Sequence, residues 1–157
     1  MDRRRYFAKK GNKITYYYIS GACRDIIITD NKDIYSNVDF LVTGNTGIEA
    51  VIETKYKRWP TYKTNYRNGG HIFEYDKYKS MQGFKGKKLI YINIYGDYIL
   101  MWDVTNLNED DFYYDGREYP VTTMGESNER AEKKVTYLKA KDCCTIIKRV
   151  KGDENYC

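Results

Sequence analysis

The sequence predicts an α/β (α+β) domain, a central mixed β-sheet flanked by helices. Three observations carry that expectation. Runs of β-branched and aromatic residues recur along the chain. A segment with helical spacing interrupts them. Helix and strand patterns therefore alternate, which argues against a β-only meander and for helices laid on a sheet. The 157 residues suit one domain and can bury a core without disulfide or metal staples. That domain is expected over residues 1–150, with a flexible tail at 151–157.

Taken in order, residues 1–13 are basic and read as a short helix or a mobile arm. Residues 14–19 (ITYYYI) read as a strand from their β-branched and aromatic content. Residues 24–29 (RDIIIT) fit a strand or a buried helix end. Residues 38–43 (VDFLVT) and 48–56 (IEAVIETKY) form the clearest strand pair, joined by a Gly44-Asn45-Thr46-Gly47 turn. Residues 57–71 lack periodicity and contain Pro60, Gly69 and Gly70, so they read as a long basic, aromatic loop. Residues 74–82 place Tyr75, Tyr78 and Met81 on one side of a short helix that Gly83 and Gly86 end. Residues 88–104 read as a hairpin with a primed turn at Gly96-Asp97. Residues 106–118 read as an acidic loop. Residues 128–150 fit helix or strand equally. The tail reads as frayed.

Composition excludes several chemistries. His71 is the single histidine, so sites built from several imidazoles are ruled out, and His71 itself reads as structural. The four cysteines, Cys23, Cys143, Cys144 and Cys157, lack CxxC spacing and read as reduced thiols of a cytoplasmic protein. The N-terminal segment has no apolar core behind its charges, and no apolar run would cross a bilayer, so neither a secretory signal nor a membrane span is expected. A net charge of +5 is compatible with a polyanionic partner. Tyrosine, at 18 residues, outnumbers Phe and Trp together, which suits half-buried strands and interfaces.

Chemistry concentrates on the hairpin. In a strand, residues two apart share a face, so Glu53 and Lys55 project together. If Asn45-Thr46-Gly47 closes as a three-residue turn, with Gly47 at positive φ, Gly44 opposes Ile48 and Asp39 opposes Glu53. Pairing Gly44 with Gly47 instead would send Asp39 to the other face. In the first register Phe40, Val42, Ala50 and Ile52 share one side, while Asp39, Leu41, Val51, Glu53 and Lys55 share the other. Carboxylates there are costly unless paired or metal-bound. Beyond this strand, Lys57, Arg58, Trp59, Lys63 and Arg67 interleave cations with aromatics, a composition suited to phosphates and unpaired bases.

Asp39 followed by Glu53-Thr54-Lys55 resembles the PD-(D/E)xK nuclease superfamily. The resemblance spans roughly residues 14–95 and implies a restriction-endonuclease-like fold with an αβββαβ core. It implies that Asp39, Glu53 and the Thr54 backbone carbonyl hold Mg²⁺ or Mn²⁺. It makes Lys55 the catalytic lysine beside the attacking water, and it offers Lys79 and Gln82 as polar residues that the following helix brings near. Many members add an acidic ligand from an N-terminal helix; no such helix is expected here, and Asp25 is a weak substitute. The implied function is a small metal-dependent DNA endonuclease, of the kind found in phages and mobile elements, with a homodimer as one arrangement. Other readings are a non-catalytic nucleic-acid-binding or interaction module with a degenerate nuclease-like fold, and a structural component of a virion.

Overall fold

Strands that are apolar on both faces require cover on both faces, and the fold supplies it. The computed structural model describes residues 3–22, 27–30, 39–44, 47–65, 70–121 and 129–155. It is a mixed α+β structure. Helix α1 (Arg3–Ala22) is followed by strands β1 (Ile27–Asp30), β2 (Phe40–Gly44) and β3 (Gly47–Tyr56). Strand β4 (His71–Glu74), helix α2 (Tyr75–Gln82), β5 (Lys88–Ile94) and β6 (Tyr98–Asp103) come next, then β7 (Tyr113–Pro120), β8 (Arg130–Leu138) and β9 (Thr145–Lys148). Six strands form one sheet in the order β1-β2-β3-β5-β6-β9, and β4-β8-β7 form a smaller one. The β3–β5 pair is parallel and its crossover carries β4 and α2.

One face of the large sheet packs Phe40, Val42, Ile52, Ile92 and Ile94 against Ile14 and Ile19 of α1. The other packs Val51, Leu89, Tyr91 and Trp102 against Tyr78 and Met81 of α2 and Phe73 and Leu138 of the small sheet. The two faces of the β2–β3 hairpin sort as the alternation predicts.

Residues 14–19 correct the strand expected there, because they lie inside α1. Strand propensity yields to period. Gly11, Ile14, Thr15 and Ile19 are all buried while Tyr16 is exposed, a 3–4 spacing that only a helix turns toward one surface. Gly11 allows close approach, since a Cβ there would stand 3.2 Å from Tyr56 Cβ.

The β2–β3 turn also differs in detail. Gly44 pairs with Gly47 and Thr43 with Ile48, which is the two-residue pairing. A bulge at Glu49 then shifts the ladder, so that Val42–Ala50 and Phe40–Ile52 pair in the register expected from the longer turn. Residues 106–118 are not all loop, because β7 begins at Tyr113. It is an edge strand, exposed along most of its length and broken by Gly116 at positive φ, so it shows no hydrophobic alternation. Residues 128–150 contain β8 and β9.

The described part of the tail, residues 151–155, is docked where a flexible segment was expected. Asp153 is buried, accepts bonds from Arg149 at 2.8 and 2.9 Å, and accepts the Tyr18 hydroxyl of α1 at 2.8 Å. Burial alone would raise its carboxyl, but the Arg149 and Tyr18 donors outweigh that and hold it below the usual range.

Gly96 lacks the positive φ of a primed turn. Its role is close approach: its N–H donates to the Trp59 carbonyl at 2.9 Å, and a Cβ would meet the Pro60 carbonyl oxygen at 2.6 Å. Gly96→Ala should therefore lower the unfolding free energy by about 1–3 kcal/mol through backbone displacement. Urea unfolding that leaves stability unchanged would show that the loop after β3 yields freely.

Candidate metal and phosphate site

The site begins where β2 and β3 run out of apolar residues. Asp39 precedes β2, and its N–H donates to the Ile52 carbonyl at 3.0 Å. Its Oδ2 accepts the Thr54 N–H at 2.8 Å. Thr54 turns its own side chain to the opposite face, where its hydroxyl meets that of Thr15 on α1 at 3.1 Å. Alternation then carries Glu53 and Lys55 to the α2 side, with Glu53 only 4% exposed.

Two cations face Glu53. Lys55 Nζ lies 3.9 Å from its Oε1, and Lys77 Nζ of α2 lies 2.9 Å from the same atom. Burial, then the Asp39 charge, push the Glu53 carboxyl up to about 7 against the pull of both lysines. Asp39 is raised as well. Burial is the main cause, opposed by the Thr54 N–H, by Lys55 and Lys77, and by a hydrogen bond from Asn12 of α1. Asp39, Glu53 and Lys55 are thus brought into one electrostatically coupled group.

No N-terminal helix was expected to reach this group, yet α1 does, through the amide of Asn12. Asp25 lies outside the described residues. Two carboxylates and a backbone carbonyl are hard oxygen donors, which suit Mg²⁺ with waters completing its shell. Among the described residues, no group of three or more His, Cys, Asp or Glu side chains converges to hold a metal.

The loop residues divide. Lys57 continues the β3 ladder through its N–H to Ile94 (2.8 Å) and lines a cavity of about 230 Å³ together with Lys55, Lys77, Glu74, Tyr91 and Tyr119. Burial, then the neighbouring Lys55, lower its ammonium to about 8. Arg58, Trp59 and Lys63 are exposed and do not line that cavity. Arg67 lies outside the described residues. Of the other two helix residues, Lys79 is exposed and pairs with Glu109 at 3.2 Å, and Gln82 bonds the Tyr78 hydroxyl.

The helical residue that reaches the site is Lys77, which sequence reasoning missed. The signal was present, because Lys77 is four residues before buried Met81 and borders the apolar stripe. Glu74, Tyr91 and Tyr119 were missed as well. Tyr91 pairs in register with Glu53. Tyr119 lies in β7, just beyond the residues 106–118 expected as loop.

His71 is buried, and its Nδ1 meets the Tyr95 hydroxyl at 2.5 Å. Burial and the Lys57 charge lower it to about 4, so it is neutral at pH 7 and suits a structural role. Cys143 and Cys144 are free thiols, and burial pushes Cys143 up to about 12. No helix among the described residues is long and apolar enough to cross a membrane. No protein-family model, curated protein or solved structure matches the chain.

Because the folded state raises Glu53 from 4.5 to about 7, it holds that proton more tightly than the unfolded chain does. The stability this confers is complete below about pH 4.5 and is lost as pH rises through about 7. The melting temperature in metal-free buffer should fall across that window, and Glu53→Gln should flatten the fall. Lys77→Met, which removes a cation that favours the carboxylate, should extend the fall to higher pH. A Glu53→Gln protein whose melting curve still declines in parallel with wild type would assign the titration to another group.

Proposed function

We propose that this protein is a small Mg²⁺- or Mn²⁺-dependent DNA endonuclease. The observation that carries the proposal is the electrostatic coupling of half-buried Asp39 to buried Glu53 beside Lys55 at one end of β2 and β3. Its two like charges are raised by burial and incompletely offset. The element order supports it too. A helix, three antiparallel strands, then a crossover with α2 into a strand parallel to β3 is the αβββαβ succession that a restriction-endonuclease-like fold implies, with β4 inserted.

In this reading Asp39, Glu53 and the Thr54 carbonyl hold the cation, which when bound supplies Lewis-acid polarisation of a phosphate. The Thr54 N–H fixes the Asp39 carboxylate, and α1 fixes Thr54 from behind. Lys55 presents its ammonium to the attacking water and to the charge that builds on the phosphate oxygens. Lys77 adds positive charge from α2 and holds the Glu53 carboxylate in place.

A second reading has its own observation. Lys77 at 2.9 Å already offsets part of the Glu53 charge, as a non-catalytic nucleic-acid-binding or interaction module with a degenerate site would have it.

Plasmid nicking with and without Mg²⁺ or Mn²⁺, run beside calorimetric Mg²⁺ titration, separates the two. Lys55→Ala should lower nicking by about 10²-fold or more while Mg²⁺ still binds. Asp39→Asn and Glu53→Gln should lose both. Nicking by Lys55→Ala at the wild-type rate sinks the nuclease reading, and absence of metal-dependent cleavage by wild type of both plasmid and single-stranded DNA favours the binding module.

A further inference from the structure

The cavity beside Lys55 is walled by both sheets and by α2, and this arrangement bears on what reaches the site. Lys55 and Lys57 enter from the end of β3, Lys77 from α2 and Tyr91 from β5, all below. Ile72 and Glu74 of β4 and Tyr119 of β7 enter from the small sheet above. At about 230 Å³ the space exceeds several water molecules but falls below a drug-sized pocket. It has room for one phosphate and its attached sugar, and none for a base pair with two backbones.

The upper wall is tied down. The Tyr119 and Tyr137 hydroxyls both donate to Asp115 Oδ2, and Glu74 is paired with Lys133 at 3.6 Å. That second pair leaves the charge of Glu74 matched from outside. Lys55 and Lys77 share the single Glu53 carboxylate at 3.9 and 2.9 Å, and Lys57 stands beside them with its ammonium weakened, so the three lysines against one carboxylate leave the cavity a site for an anion.

We propose that this cavity takes one phosphodiester unit of an unpaired nucleic-acid strand. The phosphate sits on Lys55, Lys57 and Lys77, and the sugar or base lies against Ile72 and Tyr119. The inference deepens the nuclease reading, on which it rests for the choice of nucleic acid as the source of the phosphate. It assigns the substrate class as a single strand, flap or frayed end, and it excludes the intact duplex. A flexible strand can pass between the sheets, and a rigid duplex can offer only its outer phosphates to the rim. A bound phosphate would also restore full charge to Lys57, whose ammonium burial weakens.

The test is fluorescence anisotropy of the full chain in EDTA with two labelled probes, a short oligothymidylate and a blunt hairpin duplex. Thymidine 5′-monophosphate and inorganic phosphate serve as competitors. The single strand should bind about tenfold more tightly than the duplex, the order of effect expected from one enclosed phosphate and one aromatic contact. Lys57→Gln and Tyr119→Leu, on opposite walls, should each reduce that preference, and Lys57→Arg should retain it. Unchanged thermal melting excludes misfolding. Thymidine 5′-monophosphate should compete more strongly than inorganic phosphate.

Equal affinity for both probes overturns the inference, as does a Lys57→Gln loss that is the same for both. Binding of the mononucleotide without the strand also overturns it, in favour of a free nucleotide. Parallel digestion with Mg²⁺ keeps the two readings apart. Duplex nicked as fast as single strand defeats the inference and leaves the nuclease standing. Strand-selective binding with no cleavage of any substrate defeats the nuclease and leaves the cavity's ligand as inferred.

Discussion

Strand β3 is an interior strand whose two faces must satisfy opposite demands. Between Val51 and Thr54 every residue is buried, yet the residues alternate in what they meet. Ile52 and Thr54 face α1, while Val51 and Glu53 face α2 and the small sheet. A carboxylate in such a place is tolerated only with opposite charge and hydrogen bonds close by. The surrounding elements can be understood as answers to that requirement. The β2 side brings Asp39 against the Thr54 N–H. Helix α1 seats Thr15 and Asn12 behind the strand, and α2 delivers Lys77. The parallel pairing with β5 makes the crossover long enough to hold both β4 and α2 over the Glu53 side. A one-residue slip in β3 would present Thr54 to the lysines and Glu53 to the apolar face of α1.

What was legible in the sequence follows from this. The hairpin of β2 and β3, the short helix α2 and the hairpin of β5 and β6 announce themselves because each has a clear period and a glycine-containing turn. The register that lines up Asp39 with Glu53 was legible in outcome but not in cause, since the bulge at Glu49 leaves no mark in composition. Helix α1 was hidden by its residue types. Three consecutive tyrosines between isoleucines favour a strand locally, and only burial against the sheet reveals the helical spacing. Strand β7 was hidden for the opposite reason: an edge strand with most residues in solvent has no apolar pattern to display. Of the site, Asp39, Glu53 and Lys55 stood out as a motif. Lys77, Glu74 and Tyr119 did not, because their roles depend on how the crossover and the small sheet fold back over β3.

The balance of charge at this place is asymmetric. Glu53 is short of compensation, and its carboxyl remains raised despite two lysines. Lys57, four residues further along the chain, is in excess and has its ammonium weakened. Unmet negative charge at one end and unmet positive charge at the other are what a bound cation and a bound phosphate would respectively relieve. Polar neighbours around this place have partners of their own: His71 Nδ1 meets Tyr95, Glu74 pairs with Lys133, and Asp115 accepts from its two tyrosines.

The bond from Tyr18 to Asp153 joins positions 135 residues apart. Its consequence lies in the order of events during synthesis. A ribosome releases α1 early, yet the contacts that finish its seating wait until residue 153 has emerged. Until then the Ile14 and Ile19 side of the helix rests on a sheet that lacks β9, and Tyr18 lacks its acceptor. Contacts of such long sequence separation slow folding, because the loop must close before they return any free energy. The nascent chain therefore holds an incompletely covered apolar face until residue 153 has emerged, the condition in which chaperones engage a growing polypeptide.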